Sequence, residues 1–305
     1  MEPREETQPQ VGATGVAADR RARVAALQAR GHQLVERAQA ERARHDSVDV
    51  LFEMADRDGD AGGGIIAGAL SYRLFLWLLP LTLVSVAGLG IASDAASQSP
   101  EEAAKTLGVT GLVSNSVATA AEGPARWYAL LVGIPILVWV TRGLLRALTV
   151  THRLLWGDVR SAAPKPTLHA TIRLLVLLLG FTVVSGLAGA VRSWSSAPGL
   201  LVTLLTVVPY AGLWLLITLR LPHRDADWKA LVPGALLFGA GLQVLHLVGV
   251  YILAPYAITK QGTYGALGAA AALLLGLFLL SRIAVAGAVL NVTLWERRGV
   301  EGAHG

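Results

Sequence analysis

Apolar and polar positions alternate along this chain in long blocks, not residue by residue. Between charged side chains the uncharged runs are 74–93, 127–141, 174–191, 193–219, 230–259 and 261–281. A helix needs ~20 mostly apolar residues to cross a hydrocarbon core. Extended to their flanking turns, the runs predict six helices at about 62–91, 127–149, 170–191, 199–219, 231–253 and 264–290. The expected fold is all-α: a polytopic membrane protein with six transmembrane helices and an N-terminal cytoplasmic helical extension. Residues 1–45 form that extension, 46–298 the six-helix membrane domain and 299–305 a short cytoplasmic tail.

Finer patterning fills in the ends. Met1 to Thr14 is polar and reads as disordered. Val24, Leu27, Leu34 and Val35 give the stretch Val16–His45 a thin apolar stripe, as on an exposed or interfacial helix. Val48, Val50, Leu51, Phe52 and Met54 suit a short amphipathic helix ahead of the first span. The DRDGDAG run with Asp56, Asp58 and Asp60 resembles the start of a calcium loop. Its twelfth position is Ala67, where a bidentate glutamate is required, so it reads as a turn and not a metal site. Trp127, Tyr128, Trp194, Trp228, Tyr251, Tyr256 and Trp295 fall near span ends, as an aromatic belt places them. Gly64–Gly68 and the Gly268, Ala272, Gly276 series offer small faces for close helix packing. Pro80, Pro135, Pro209 and Pro233 mark kinks or helix starts.

Composition agrees. Of 305 residues 53% are hydrophobic and 15% charged, against about 25% charged in soluble domains. The absence of cysteine excludes disulfides, thiolate metal sites and cysteine nucleophiles. The first sixty residues are polar, so the first span doubles as the targeting signal. The net charge of +5 reflects arrangement about a membrane and not affinity for nucleic acid. The N-terminal region holds nine Lys and Arg, and the second loop three: Arg153, Arg160 and Lys165. The fourth loop holds Arg220, Arg224 and Lys229, and the C-terminus Arg297 and Arg298. The opposite side holds Lys105, Arg126, Arg192 and Lys260. Both termini are therefore expected on the cytoplasmic side.

Three stretches carry a family resemblance. ALSYRLFLWLLPLTLVSVAGLG (69–90) pairs a small residue and an aromatic ahead of a Phe/Leu-rich run with a proline. LPHRDADWKALVPGALL (221–237) joins Leu-Pro, a tryptophan and Pro-Gly-Ala. TYGALGAAAALLLGLFLLSRIAVAGAVLN (263–291) is a Tyr-Gly helix with a polar stop. Together, over about residues 46–298, they resemble the YihY/BrkB family of bacterial inner-membrane proteins. The resemblance implies a six-span bundle, transporter-like in outline. Here Gly287-Ala288-Val289-Leu290-Asn291 lacks the acid of the family's usual Gly-Ala-Glu-Asn ending. Members were once labelled ribonuclease BN, but no carboxylate cluster, His/Asp metal signature or nucleophile–base pair supports an enzyme, and no catalytic residue or cofactor is expected.

The candidate chemistry is cationic. Arg73, Arg142, Arg146, Arg173 and Arg282 fall within or at the edges of spans that contain no Asp or Glu. An arginine at mid-membrane costs about 2.5–3.5 kcal/mol on insertion scales, so it needs a partner or a wet cavity. At ~1.5 Å per residue, Arg73 lies about 15 Å in, Arg282 about 12 Å and Arg142 about 10 Å. Arg142, Arg146, Thr149 and Arg153 form one helix-face stripe. Arg73, Arg142, Arg146 and Arg282 are the predicted anion-binding set, since guanidinium grips phosphate in bidentate fashion. Arg146 and Arg173, the shallowest, also suit snorkelling to the headgroups. Tyr72, Gln243, His246 and Asn291 are candidates for a polar relay or for packing. Two functions follow. One is a transporter or lipid translocator for an anionic amphiphile or phosphate-containing group. The other is a non-catalytic envelope organiser whose N-terminal helix recruits partners.

Overall fold

The computed structural model describes residues 45–96, 125–158, 165–194, 199–249 and 254–302. Seven helices account for most of these, and no strand occurs among them: α1 (Asp46–Asp60), α2 (Gly63–Ala96), α3 (Ala125–Leu155), α4 (Leu168–Trp194), α5 (Gly199–Thr218), α6 (Trp228–Val248) and α7 (Ala254–Gly302). Two compact units divide the chain, Met1–Ala55 and Asp56–Gly305. In the first, residues 45–55 hold most of α1, with Asp46 and Asp49 in its first turn, the favourable end of the helix dipole for acids. The expected disordered tail and helix before His45 lie outside the described residues.

In the second unit, five helices are long and apolar enough to span: Gly63–Gly88, Trp127–Leu155, Leu168–Gly189, Trp228–Val248 and Ala270–Gly299. The stretch expected as the fourth span is helix α5, whose described apolar part, Leu205–Thr218, is shorter.

Two boundaries differ from the sequence reading. The Asp56–Asp60 stretch, expected as a turn, is the last turn of α1, and the chain reverses only at Ala61 and Gly62. Gly62 takes φ +65, which glycine adopts without steric penalty. The last helix was expected to end near 290 but runs to Gly302, because Val292–Arg298 contains no helix breaker. Glu296, Arg297 and Arg298 bring charge into its last turns without ending the helix.

The six long helices close a ring in chain order. α2 packs on α3, α3 on α4, and so on to α7, which returns to α2. Without a hydrophobic drive between helices in lipid, close packing and interhelical hydrogen bonds hold such a ring. Trp77 Nε1 donates to Thr141 Oγ1 (3.0 Å) across α2–α3. Ser185 Oγ donates to the Phe181 carbonyl (2.8 Å), so Tyr210 OH must donate to Ser185 (2.7 Å) across α4–α5. Gln243 donates to Thr206 across α5–α6. The closest backbone approach is α6–α7, where Gly234 faces Gly287. The small face predicted at Gly64 and Gly68 is instead open, with nothing within 4 Å of either position.

At its C-terminus α3 closes with a Schellman arrangement. Asp158 N bonds the Arg153 carbonyl, Gly157 N bonds that of Leu154, and Gly157 takes φ +68. Arg153 folds over this end, its Nε 2.9 Å from the Asp158 carbonyl.

Candidate functional site

On the flank where α2 meets α3, three of the four arginines expected to bind an anion converge. Arg73 of α2 and Arg142 and Arg146 of α3 line a groove of about 700 Å³, joined by Lys165 from the stretch before α4. Ile65, Ile66, Leu76, Trp139 and Val150 supply apolar wall around them. A spacing of four stacks Arg142 and Arg146 one turn apart on one helix face. Arg73 reaches across to α3: its Nη1 lies 3.2 Å from where a Cβ at position 143 would sit, so Gly143 leaves the guanidinium its place. Among the described residues, no carboxylate lies within ion-pairing distance of these four cations.

Four like charges in one groove repel each other, and an apolar wall strengthens that repulsion relative to open water. An anion offering several oxygens relieves it. The planar forks of three arginines match phosphate or carboxylate geometry, with Lys165 adding a point charge. Lys165 was missed as a site residue. It had been counted only as a loop charge, and nothing in the sequence says that the loop returns to the α2–α3 flank.

Arg282 behaves differently, and here the sequence reading needs correcting. Its two terminal nitrogens each donate to one oxygen of Asp58, both at 2.9 Å. The carboxylate thought to be missing is present, contributed by the last turn of α1. Asp58 precedes the start of α2, so the pair sets Arg282 level with the N-terminal end of that helix. Asp58 fits only because position 63 is glycine, since a Cβ there would overlap its carboxylate. Nearby, Glu296 of α7 pairs with Arg57 and, at 3.7 Å, with Arg224. The Arg224 guanidinium also lies 5.7 Å from the Trp295 ring, which packs on Trp156. Arg224 holds φ 51, a backbone state that costs a non-glycine residue about 1–3 kcal/mol. These contacts make an ionic clamp between the end of α1, the α5–α6 turn and α7.

The predicted stripe on α3 divides. Arg142 and Arg146 face the groove, whereas Arg153 is buried against Asp158 and the Thr149 hydroxyl donates to the Leu145 carbonyl. Arg173 is exposed and outside the groove wall. Of the relay candidates, Asn291 stitches α7 to α6, accepting from Gly234 N (2.7 Å) and donating to the Leu231 carbonyl (3.2 Å). Gln243 ties α6 to α5. His246 borders a second cavity, about 500 Å³, on the axis of the ring. Tyr72 is 58% exposed and borders neither cavity.

Comparison with known proteins adds one match. Residues 56–305 fit the family model described as Virulence factor BrkB. No curated protein and no solved structure matches. The matched segment begins in the last turn of α1 and runs through α7, taking in the clamp, the groove and the whole ring. This membrane protein therefore belongs to the BrkB virulence-factor family (YihY/BrkB).

Proposed function

We propose that this protein is a bacterial inner-membrane transporter or lipid translocator with six spans and both termini cytoplasmic. Its groove of Arg73, Arg142, Arg146 and Lys165 binds the phosphate-containing group of an anionic amphiphile, without catalysis. The observation that carries this reading is the gathering of four cations with no carboxylate in pairing distance among the described residues. Arg282, which completed the expected set, is assigned to the clamp instead. The Lys and Arg distribution supports a groove in the cytoplasmic half.

The test is thermal unfolding of the purified protein in phosphatidylcholine vesicles containing increasing anionic phospholipid, and separately with inorganic phosphate. Stabilisation by both identifies the phosphate group as the ligand; stabilisation by the lipid alone makes the headgroup the source. Arg73→Gln and Arg142→Gln should each weaken binding about tenfold, the loss of one charge-assisted hydrogen bond. Arg173→Gln, outside the groove, should leave it unchanged. Equal lipid dependence in the wild type and the groove variants would mean that the arginines only anchor the helices at headgroup level, and would defeat the proposal.

Gly143→Val gives a prediction that removes no charge. Its side chain would displace the Arg73 guanidinium, so binding should fall several-fold while the unfolding temperature without ligand stays near that of the wild type.

A further inference from the structure

The second cavity lies on the axis of the ring and takes its wall from all six long helices. Its volume of about 500 Å³ falls in the ~300–1,000 Å³ range of small-molecule sites. Leucines dominate the wall, with an aromatic panel on one side. Trp214 and Phe238 stack at 3.9 Å, Phe238 meets Phe181 edge-on at 6.0 Å, and Phe181 stacks with Tyr210 at 5.8 Å. Polar groups in it are few. The hydroxyls of Ser185 and Tyr210 are occupied with each other, that of Thr182 donates to the Leu179 carbonyl and Trp77 Nε1 to Thr141, and His246 adds one more polar side chain to the wall. That leaves little to hold a water cluster, because buried water needs two to four polar partners apiece.

A lining this apolar gains dispersion contacts along its length from any hydrocarbon laid against it. Apolar cavities of about 150 Å³ already stay dry and take up hydrocarbon. In a membrane the hydrocarbon at hand is a lipid chain. The wall also has a specific neighbour: Leu70 of α2, 3% exposed, borders both this chamber and the basic groove. Just past Leu70 the Trp77–Thr141 hydrogen bond closes the α2–α3 seam. Head site and apolar chamber therefore adjoin at the α2–α3 seam, with Leu70 a wall residue of both.

We propose that the axial chamber holds a hydrocarbon chain of the amphiphile whose phosphate group lies in the Arg73–Arg142–Arg146–Lys165 groove. This rests on the reading of that groove as an anion site, and it narrows the ligand class. Free phosphate and short organic phosphates would fill half the site; an acyl or isoprenoid phosphate fills both halves. Leu70 is then the residue at which the two halves of the site adjoin.

The experiment uses the full chain in phosphatidylcholine vesicles doped with a phosphatidic acid carrying a diazirine at the end of one acyl chain. Photolabelling is read residue by residue. Label is expected on Trp214, Phe238 and Leu242, which face the chamber, in preference to Leu216, Leu237 and Val244, exposed on the same two helices. Ala284→Phe and Leu178→Trp, two separate ways of filling the chamber, should each remove the chamber label in protein that still unfolds cooperatively. Label confined to the exposed residues of the wild type overturns the proposal without relying on any variant. A diacylglycerol with the same diazirine separates the two readings. If both probes label the chamber and Arg73→Gln with Arg142→Gln changes neither, the chamber stands and the head-group assignment falls. If phosphatidic acid binds in an arginine-dependent way but labels only outside, the groove stands and the chamber falls.

Discussion

Replacing Gly234 with alanine is expected to lower the stability of the membrane domain by about 3 kcal/mol, a large response to one methyl group. A Cβ at 234 would fall on the Gly287 carbonyl oxygen and beside the Asn291 amide, and a Cβ at 287 would come within 2.7 Å of the Gly234 carbonyl. Both obstacles are backbone, so no rotamer change relieves them. The helices must separate, and Asn291 then loses its hold on Gly234 N and the Leu231 carbonyl. Thermal unfolding in one detergent tests this, with Gly276→Ala on α7 as the control. Nothing lies within 4 Å of that position. There alanine should be neutral, or stabilising by up to about 1 kcal/mol through helix propensity. Equal effects at the two positions would show that α6 and α7 do not meet at Gly234.

Asp58→Asn should have the second-largest effect, because it strands the Arg282 guanidinium. Removing one partner of a fully buried pair costs about 3–5 kcal/mol. These side chains are 23% and 33% exposed, and solvent screening brings the expected loss to about 2 kcal/mol. Removing both charges together, as Asp58→Leu with Arg282→Met, should recover most of that loss, since apolar replacement of a whole pair is often neutral. A double-mutant cycle measures the coupling directly. A coupling energy near zero would mean that the clamp is not closed in the membrane. Gly63→Ala should resemble Asp58→Asn, because it forces the carboxylate away while leaving both charges in the chain.

The helices were legible because long charge-free apolar runs set between charged clusters have few alternatives. Their ends were less so. Nothing local distinguishes a helix that leaves the membrane from one that stops there, and α7 continues through Trp295 and Glu296 for that reason. The convergence of Arg142 and Arg146 followed from helical spacing alone. That Arg73 joins them depends on which face of α2 meets α3, and only the structure shows Gly143 opposite the Arg73 guanidinium. Sequence separation concealed the Asp58–Arg282 pair: they are 224 positions apart, and the acid sits in a run that reads as a polar turn. Glycine spacing also misled. The regular pattern at Gly64 and Gly68 faces open space, whereas the tight crossing uses Gly234 and Gly287, single glycines on two different helices.

Native mass spectrometry of the protein released from vesicles of mixed anionic and zwitterionic phospholipid counts the lipids that remain bound. The wild type should retain an anionic lipid in preference to a zwitterionic one, and Arg73→Gln/Arg142→Gln/Arg146→Gln should lose that preference while the clamp variant Asp58→Asn keeps it. Identical retention by the wild type and the triple variant would contradict a phosphate-binding groove between α2 and α3.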